Sequence, residues 1–403
     1  MADTLEARGP DAGAAAKSDL DWRLFAALMV HTIAVNAVVA LARVTISYRA
    51  IELDLSVIWI GVIASGFSLV PVFGAVSVGR FIDRGHDVLC ARLGAAMSLL
   101  ACFGLWWMPN SGLQLLAFSV ALGFSHMFCM AAHQMIAVRS AGPVSREHVF
   151  GYHMIAIAAG QGLGPMLLGW LGHGAAVPPT GLLFTVALAG ACASQLISFT
   201  LRPAKREPAH LAGHETVRVR DLLRTHGLAA VLLASIVTVT AFELMVVYLP
   251  LLATERQIDT HHVGWLLAAR SAVSIISRFF YARLLMVVGR VRLMVVSMAI
   301  GAGAFVLLGL PLPVPTMYLA VVLMGFGLGI ASTLTFSEVV VLAPVHARAT
   351  ALSLRVTGNR IGQLLVPALA SVVAQVTGIG GVMLILSGFL GASAAYIRTS
   401  LRR

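Results

Sequence analysis

Blocks of about 20 apolar residues recur from residue 24 to residue 397, separated by short polar turns. A helix rises about 1.5 Å per residue, so each block matches the roughly 30 Å hydrocarbon core of a bilayer. Inside that core no water reaches the backbone, and a helix satisfies its own N–H and C=O groups. The blocks therefore predict an all-α integral membrane protein. With 59% hydrophobic and 11% charged residues in 403, no soluble domain of useful size is left over.

Twelve spans are predicted, near 24–48, 57–79, 88–108, 112–138, 148–171, 180–201, 226–252, 262–284, 291–311, 314–342, 349–374 and 378–397. The longest polar segment among them divides the spans six and six. The expected organisation is a tail over 1–23, a six-helix bundle over 24–201, a linker over 202–225, a second six-helix bundle over 226–397 and a tail over 398–403. The first 23 residues are acidic and lack both a basic leader and a small-residue cleavage site, so a cleaved signal peptide is not expected.

The net charge of +11 raises the question of a nucleic-acid partner, which its distribution answers. With a cytoplasmic N-terminus, 21 of the 28 Lys and Arg fall on the cytoplasmic side, two (Arg49 and Arg256) fall outside and five lie within spans. Positive charge on the cytoplasmic side orients the chain and accounts for its basicity without nucleic acid. Both termini are then cytoplasmic. Cys90, Cys102, Cys129 and Cys192 all lie within spans, so no disulfide framework is expected.

The halves repeat weakly at an offset near 200. Span 1 ends in "ARVTISYRA" and span 7 in "FELMVVYLP", so Arg43 and Glu243 each precede a tyrosine, Tyr48 or Tyr248, by five residues. Opposite charges thus occupy equivalent places. Because six is even, both halves enter the membrane from one side and form parallel repeats.

The turn "VGRFIDRGHDVLCAR" after span 2 resembles the signature of the major facilitator superfamily of secondary transporters, matching it at Gly79, Asp83 and Arg84. It departs afterwards, with Gly85 one place early. The second-half copy keeps Gly289 and Arg290 but has Ala282 and Met286 where the signature has glycine and aspartate. Span 5 reads "GQGLGPMLLG" and is similar, through Gly160, Gly164 and Pro165, to a motif of the family's export branch. Small residues four apart let helix backbones approach, and a proline kinks the helix. The resemblance implies two pseudo-symmetric bundles, a monomer in a bacterial-type inner membrane, and export of a drug or metabolite. It also implies that Asp83 caps span 11 near Thr350. One family feature is missing: the span 4 position where proton-driven drug exporters carry arginine is Ser119, four residues ahead of Gly123.

A transporter binds its substrate near the midplane, and a charge there costs about 3 kcal/mol on insertion scales unless it is paired or faces water. Seven such residues stand out: Arg43, Glu243, Arg270, Arg278, Glu338, Arg355 and Arg360. By depth, Arg278, Glu338 and Arg355 belong to a cytoplasmic gate, with Arg283 or Arg290 as partner for Glu338; static structural pairs are the alternative. Arg43 and Glu243 either pair across the repeat axis to close the outer side, or Glu243 titrates and couples transport to protons. Arg270 and Arg360 are deeper and read as anion contacts, since guanidinium forks suit carboxylate or phosphate. Either could instead satisfy backbone carbonyls. Asn36, Gln161, Asn359 and Gln363 complete the expected lining, with Arg355, Asn359 and Gln363 on one face of span 11.

Span 4 carries "SHMFCMAAHQM", which puts His126, Met130 and His133 on one helical face. A soft-metal site with help from His153 is conceivable, but histidines in a polar cavity or proton path are the simpler reading. No nucleotide loop, nucleophile elbow or zinc-protease motif occurs. The expected protein is not an enzyme, has no cofactor or resident metal, and draws on a proton or other ion gradient. The leading expectation is proton-coupled export of small organic anionic or zwitterionic molecules such as a drug, siderophore or metabolite. Import or uniport of an organic acid or other nutrient is the alternative. A non-transporting sensor with a transporter fold is the alternative from another class.

Overall fold

The computed structural model of the protein describes residues 21–107, 109–140, 146–172, 174–202, 219–344 and 347–401, and no strand occurs among them. Twelve helices run in order: α1 (Trp22–Glu52), α2 (Val57–Asp83), α3 (Asp87–Trp106), α4 (Gly112–Ser140), α5 (Arg146–Leu171), α6 (Thr180–Ser198), α7 (Val219–Leu223), α8 (Leu228–Glu255), α9 (Thr260–Val288), α10 (Arg290–Gly309), α11 (Val314–Leu342) and α12 (Arg348–Ser400). All but α7 are long and apolar enough to cross a membrane. The tail and linker expected around 1–23 and 202–225 fall largely outside the described residues.

The last helix runs for 53 residues, too many for one crossing, and it breaks at Gly378, where φ is 69°. Only glycine adopts that backbone without strain. The second limb returns: Gly380 packs against the Gly309 carbonyl at one end, and Leu401 reaches Gly227 at the other. Two spans are thus joined with no loop between them, where the sequence suggested a gap over 375–377. Elsewhere α1, α2, α4, α5 and α9 overrun the apolar blocks by a few residues, where capping groups lie outside the blocks, whereas α3, α6 and α10 end two or three residues short of the predicted spans. Asp21 accepts from the Arg23 and Leu24 amides at 3.1 and 3.2 Å and starts α1, while Asp259 accepts from His261 N at 2.7 Å and starts α9.

The two halves pack alike. In the first, α1 lies against α5, α3 against α4 and α2 against α4; in the second, α8 lies against α12, α10 against α11 and α9 against α11. Each half also turns after its second span through a left-handed glycine, Gly85 (φ 92°) and Gly289 (φ 81°). These turns carry Arg84 and Arg290 and mark what is called the basic end below. The close approach of α1 and α5 is built by glycine: a Cβ on Gly160 would sit 2.5 Å from the Ile33 carbonyl oxygen, and one on Gly164 2.5 Å from that of Ala37.

The halves meet through α5 with α9, α2 with α12 and α1 with α8. The contacts are tightest at the end opposite the basic turns. There Thr260 Oγ1 donates to the Ala175 carbonyl at 2.6 Å and His261 Nδ1 to that of Gly169 at 2.7 Å. A Cβ on Gly264 would lie 2.5 Å from the Pro165 carbonyl oxygen, and one on Gly61 2.7 Å from that of Pro367. That end is sealed by backbone against backbone.

Candidate functional site

Above the seal, between the halves, lies a cavity of about 270 Å³ lined from both sides by Asn36, Arg43, Phe67, His126, Gln161, Glu243, Arg270, Asn359, Arg360 and Gln363, among others. Its volume falls just below the usual range of small-molecule pockets, about 300–1,000 Å³. Gln134 and Val356, which also line it, are exposed, and both sit near the ends of α4 and α12 that lie by the basic turns. The cavity therefore opens toward the basic end.

Arg43 and Glu243 join the halves at the cavity floor, with Nη1 and Oε2 2.5 Å apart. Arg43 also lies over the Phe67 ring, 4.4 Å from its centroid, so the guanidinium is held by a charge on one side and a π face on the other. Both partners keep some access, at 14% and 24% side-chain exposure. The pair is closed in this conformer but reachable from the cavity.

Arg270 is 2% exposed. Its Nη1 donates to the Phe242 carbonyl at 2.7 Å and its guanidinium stacks 3.9 Å from the same residue's ring centroid. The sequence left open an anion contact or a backbone-satisfying role, and here the backbone takes one donor while Nε is left without a partner. Arg360 is freer: among the described residues its one hydrogen bond is to Gln363 Oε1, at 3.1 Å within its own helix. Asn359 accepts from Ser235 Oγ at 3.1 Å, tying α12 to α8. His126 Nε2 lies 3.4 Å from Asn36 Oδ1, whose amide nitrogen donates to the Thr32 carbonyl at 2.8 Å. The lining carries three guanidiniums against one carboxylate, an excess of two positive charges.

The residues expected at a gate divide. Arg278 Nη1 crosses between the halves to the Met154 carbonyl at 3.4 Å. Glu338 pairs instead with Arg290 of its own half, at 2.6 Å. Arg355 turns away from the Asn359 and Gln363 face toward α11, donating to the Ser332 carbonyl and Thr335 Oγ1 at 3.3 and 3.4 Å. So the polar stripe read on span 11 splits, and its first member packs within the half. The side chain of Asp83 lies outside the described ones, and the N-cap of α12, Ala347, has no side-chain hydrogen bond. No described residue comes within 4 Å of where a Cβ on Gly79 would sit. Ser119, at the place of the missing arginine, donates to the Ile63 carbonyl at 2.7 Å and joins α4 to α2.

Sequence reasoning missed Phe67 and Phe242, whose rings face the Arg43 and Arg270 guanidiniums. Nothing in a 59% hydrophobic chain singles out those two of 18 phenylalanines. His31 and Thr32 were also missed, although a histidine inside span 1 is an intramembrane polar group and was there to be read.

Two inverted charges joining twin bundles over a small polar cavity fit a membrane transporter built of two bundles. The Major Facilitator Superfamily profile matches residues 24–257 and 231–402, and the chain belongs to that family, whose members are transporters and not enzymes. Solved structures share the fold at low identity. A crystal structure of the nucleoside transporter NupG matches with TM-score 0.78 at 14% identity, over 94% of this chain and 99% of its own. The E. coli xylose transporter XylE in an inward-open conformation gives 0.75 at 12%, over 94% and 95%. The human organic anion transporter MFSD10 gives 0.64 at 19%, over 93% and 98%. No curated protein matches the chain significantly.

Proposed function

We propose that this transporter works by alternating access in a bacterial-type inner membrane and couples proton movement to the export of small organic zwitterionic molecules. The observation that carries the reading is the Arg43–Glu243 pair, which bridges the halves at the floor of a cavity with an excess of positive charge. Positive-inside charge bias puts the basic end in the cytoplasm, so the cavity of this conformer faces the cytoplasm with its outer side shut. The sugar and nucleoside named for XylE and NupG do not bear on the substrate here, since 12–14% identity carries the fold alone.

The pair sets the sign of coupling. An anion that takes Arg43 leaves Glu243 as an unpaired charge in a low-dielectric site, and a proton relieves it. Anion and proton would then travel together, which is import or co-transport. A zwitterion behaves differently. Its ammonium takes Glu243 while its carboxylate takes Arg360, so proton and substrate compete for one carboxylate, as proton-driven export requires. The zwitterion is thus the substrate that reconciles the cavity's charge with export, and a nutrient anion is what the alternative reading of import predicts.

The test is flux in proteoliposomes of the full-length protein under an imposed pH gradient, with a panel of small zwitterions and organic anions. Accumulation of zwitterions against an opposed proton gradient is the expected result. Flux indifferent to the gradient in both directions would remove proton coupling, and anion uptake along with protons would replace export by import.

A further inference from the structure

Behind the cavity wall, α1, α4 and α5 bury three imidazoles that the proposed cycle does not use. His31, His133 and His153 are each fully buried. His31 Nδ1 lies 2.7 Å from His133 Nε2. Thr32 Oγ1 lies 3.3 Å from His133 Nδ1 and 3.5 Å from His153 Nδ1. The rings stand edge to face, with centroids 4.8 and 6.0 Å apart. Four groups on three helices therefore form one string, in the order His153, Thr32, His133, His31.

A neutral imidazole has one N–H and one bare nitrogen, and a hydroxyl both donates and accepts. The string consequently has two arrangements that fit the same distances. In one, His153 Nδ1–H donates to Thr32, the Thr32 hydroxyl to His133 Nδ1, and His133 Nε2–H to His31 Nδ1. In the other every donor is reversed. They interconvert when a proton binds His153 Nε2, the three bonded protons each move one place along, and the proton on His31 Nε2 leaves. One proton enters, one leaves and every ring ends neutral, so the membrane interior carries charge only in transit.

The string is also placed for use. His133 adjoins Gln134 and stands one turn from Met130, both of which line the cavity. Asn36 bonds the Thr32 carbonyl on one side and faces His126 on the other. His153 lies seven residues from the start of α5 at the basic end, a depth of about 10 Å, beside exposed Tyr152. Among the described residues, the charged groups near it include Arg278 of α9, which reaches the Met154 carbonyl beside His153, and, beyond His126, Arg43, Glu243 and Arg360. We infer that the His153–Thr32–His133–His31 string is a proton relay in the first bundle, moving a proton by tautomer exchange across the bundle from α5 to α1 and ending at His31 Nε2, a buried nitrogen with no hydrogen-bond partner among the described residues. It rests on the reading of the protein as proton-coupled.

The test needs no substrate. Full-length protein labelled with ¹⁵N-histidine is placed in lipid nanodiscs, and the ring ¹⁵N signals are followed from pH 5 to 9. Exchange between two tautomers at His31 and His133 is expected, and its loss on Thr32→Val, which keeps every ring but removes the bridging hydroxyl. His133→Gln, which keeps a donor and an acceptor, is expected to lock His31 and His153 in single tautomers. Thermal melts of both variants serve as the check that they fold. A single fixed tautomer at each ring of the unaltered protein across the whole range would overturn the relay and leave a static cross-link of three helices. Tautomer exchange together with flux that ignores the pH gradient would keep the relay and remove the coupled cycle, so the two failures are distinguishable.

Discussion

At the residue scale the cavity divides its labour between two kinds of arginine. Arg43 and Arg270 are held by π faces and by a carboxylate or a carbonyl, whereas Arg360 bonds, among the described residues, only a glutamine of its own helix. Arg360→Ala is accordingly expected to weaken binding of a carboxylate-bearing substrate about 10- to 100-fold, the worth of about 1.5–3 kcal/mol for a charge-assisted hydrogen bond, with no loss of thermal stability. Titration calorimetry or flux saturation reads the first and a melt the second. Glu243→Gln is expected to abolish gradient-driven flux and to weaken zwitterion binding with it, because the same carboxylate takes the proton and the substrate ammonium. Arg43→Ala is a different kind of change. It strands Glu243 and should cost about 3 kcal/mol of stability, the low end for a broken buried pair because both partners keep some exposure. The double variant Arg43→Leu/Glu243→Leu should recover most of that in a melt. These charges were legible in the sequence because charge within an apolar block is costly and therefore conspicuous. The aromatic faces that hold them were not, since a phenylalanine among many phenylalanines carries no mark of what it faces.

At the scale of elements, glycine decides where helices touch. Gly160 and Gly164 on α5 leave no room for a Cβ against the Ile33 and Ala37 carbonyls of α1, so Gly164→Val is expected to cost about 1–3 kcal/mol through overpacking, seen as a lower melting temperature in detergent. Gly378→Ala should cost about 1–2 kcal/mol, because a Cβ at φ 69° meets the neighbouring backbone. The span 5 motif was readable from spacing alone. The break at Gly378 was not: "TGIGG" offers three glycines, and which of them turns left-handed depends on how the returning limb docks at Gly309. The polar stripe of span 11 was read as one face, yet Arg355 leaves it for α11, because eight residues of helix drift by about 80° and the first and last members of an i, i+4 series no longer look the same way.

At the scale of the whole molecule, the conformer is sealed opposite the basic turns by α5 with α9 and α2 with α12, and open at the other end. Substituting Gly264 by valine would hold α9 off Pro165 and Gly169. Such a variant should populate the state open on the far side, so a cysteine placed at Gln161 would become reactive to a membrane-impermeant maleimide added from the face opposite the basic turns. Unchanged labelling would refute that account of the seal. The twelve crossings and their division into two were read from hydropathy and the central polar segment. Which end stands closed could not be, because both states use the same residues and differ only in which contacts are made.

The opposite charges of Arg43 and Glu243 have a consequence for assembly. Two bundles with one fold and a shared mating surface could each associate with a second copy of themselves. A pair of first halves would set arginine against arginine at the axis, and a pair of second halves glutamate against glutamate. The charge inversion acts as a key that admits only the mixed pairing. If the two bundles were made as separate polypeptides in one membrane, they should find each other and refuse their own kind, and exchanging the residues at 43 and 243 should leave that choice intact while neutralising both should blur it.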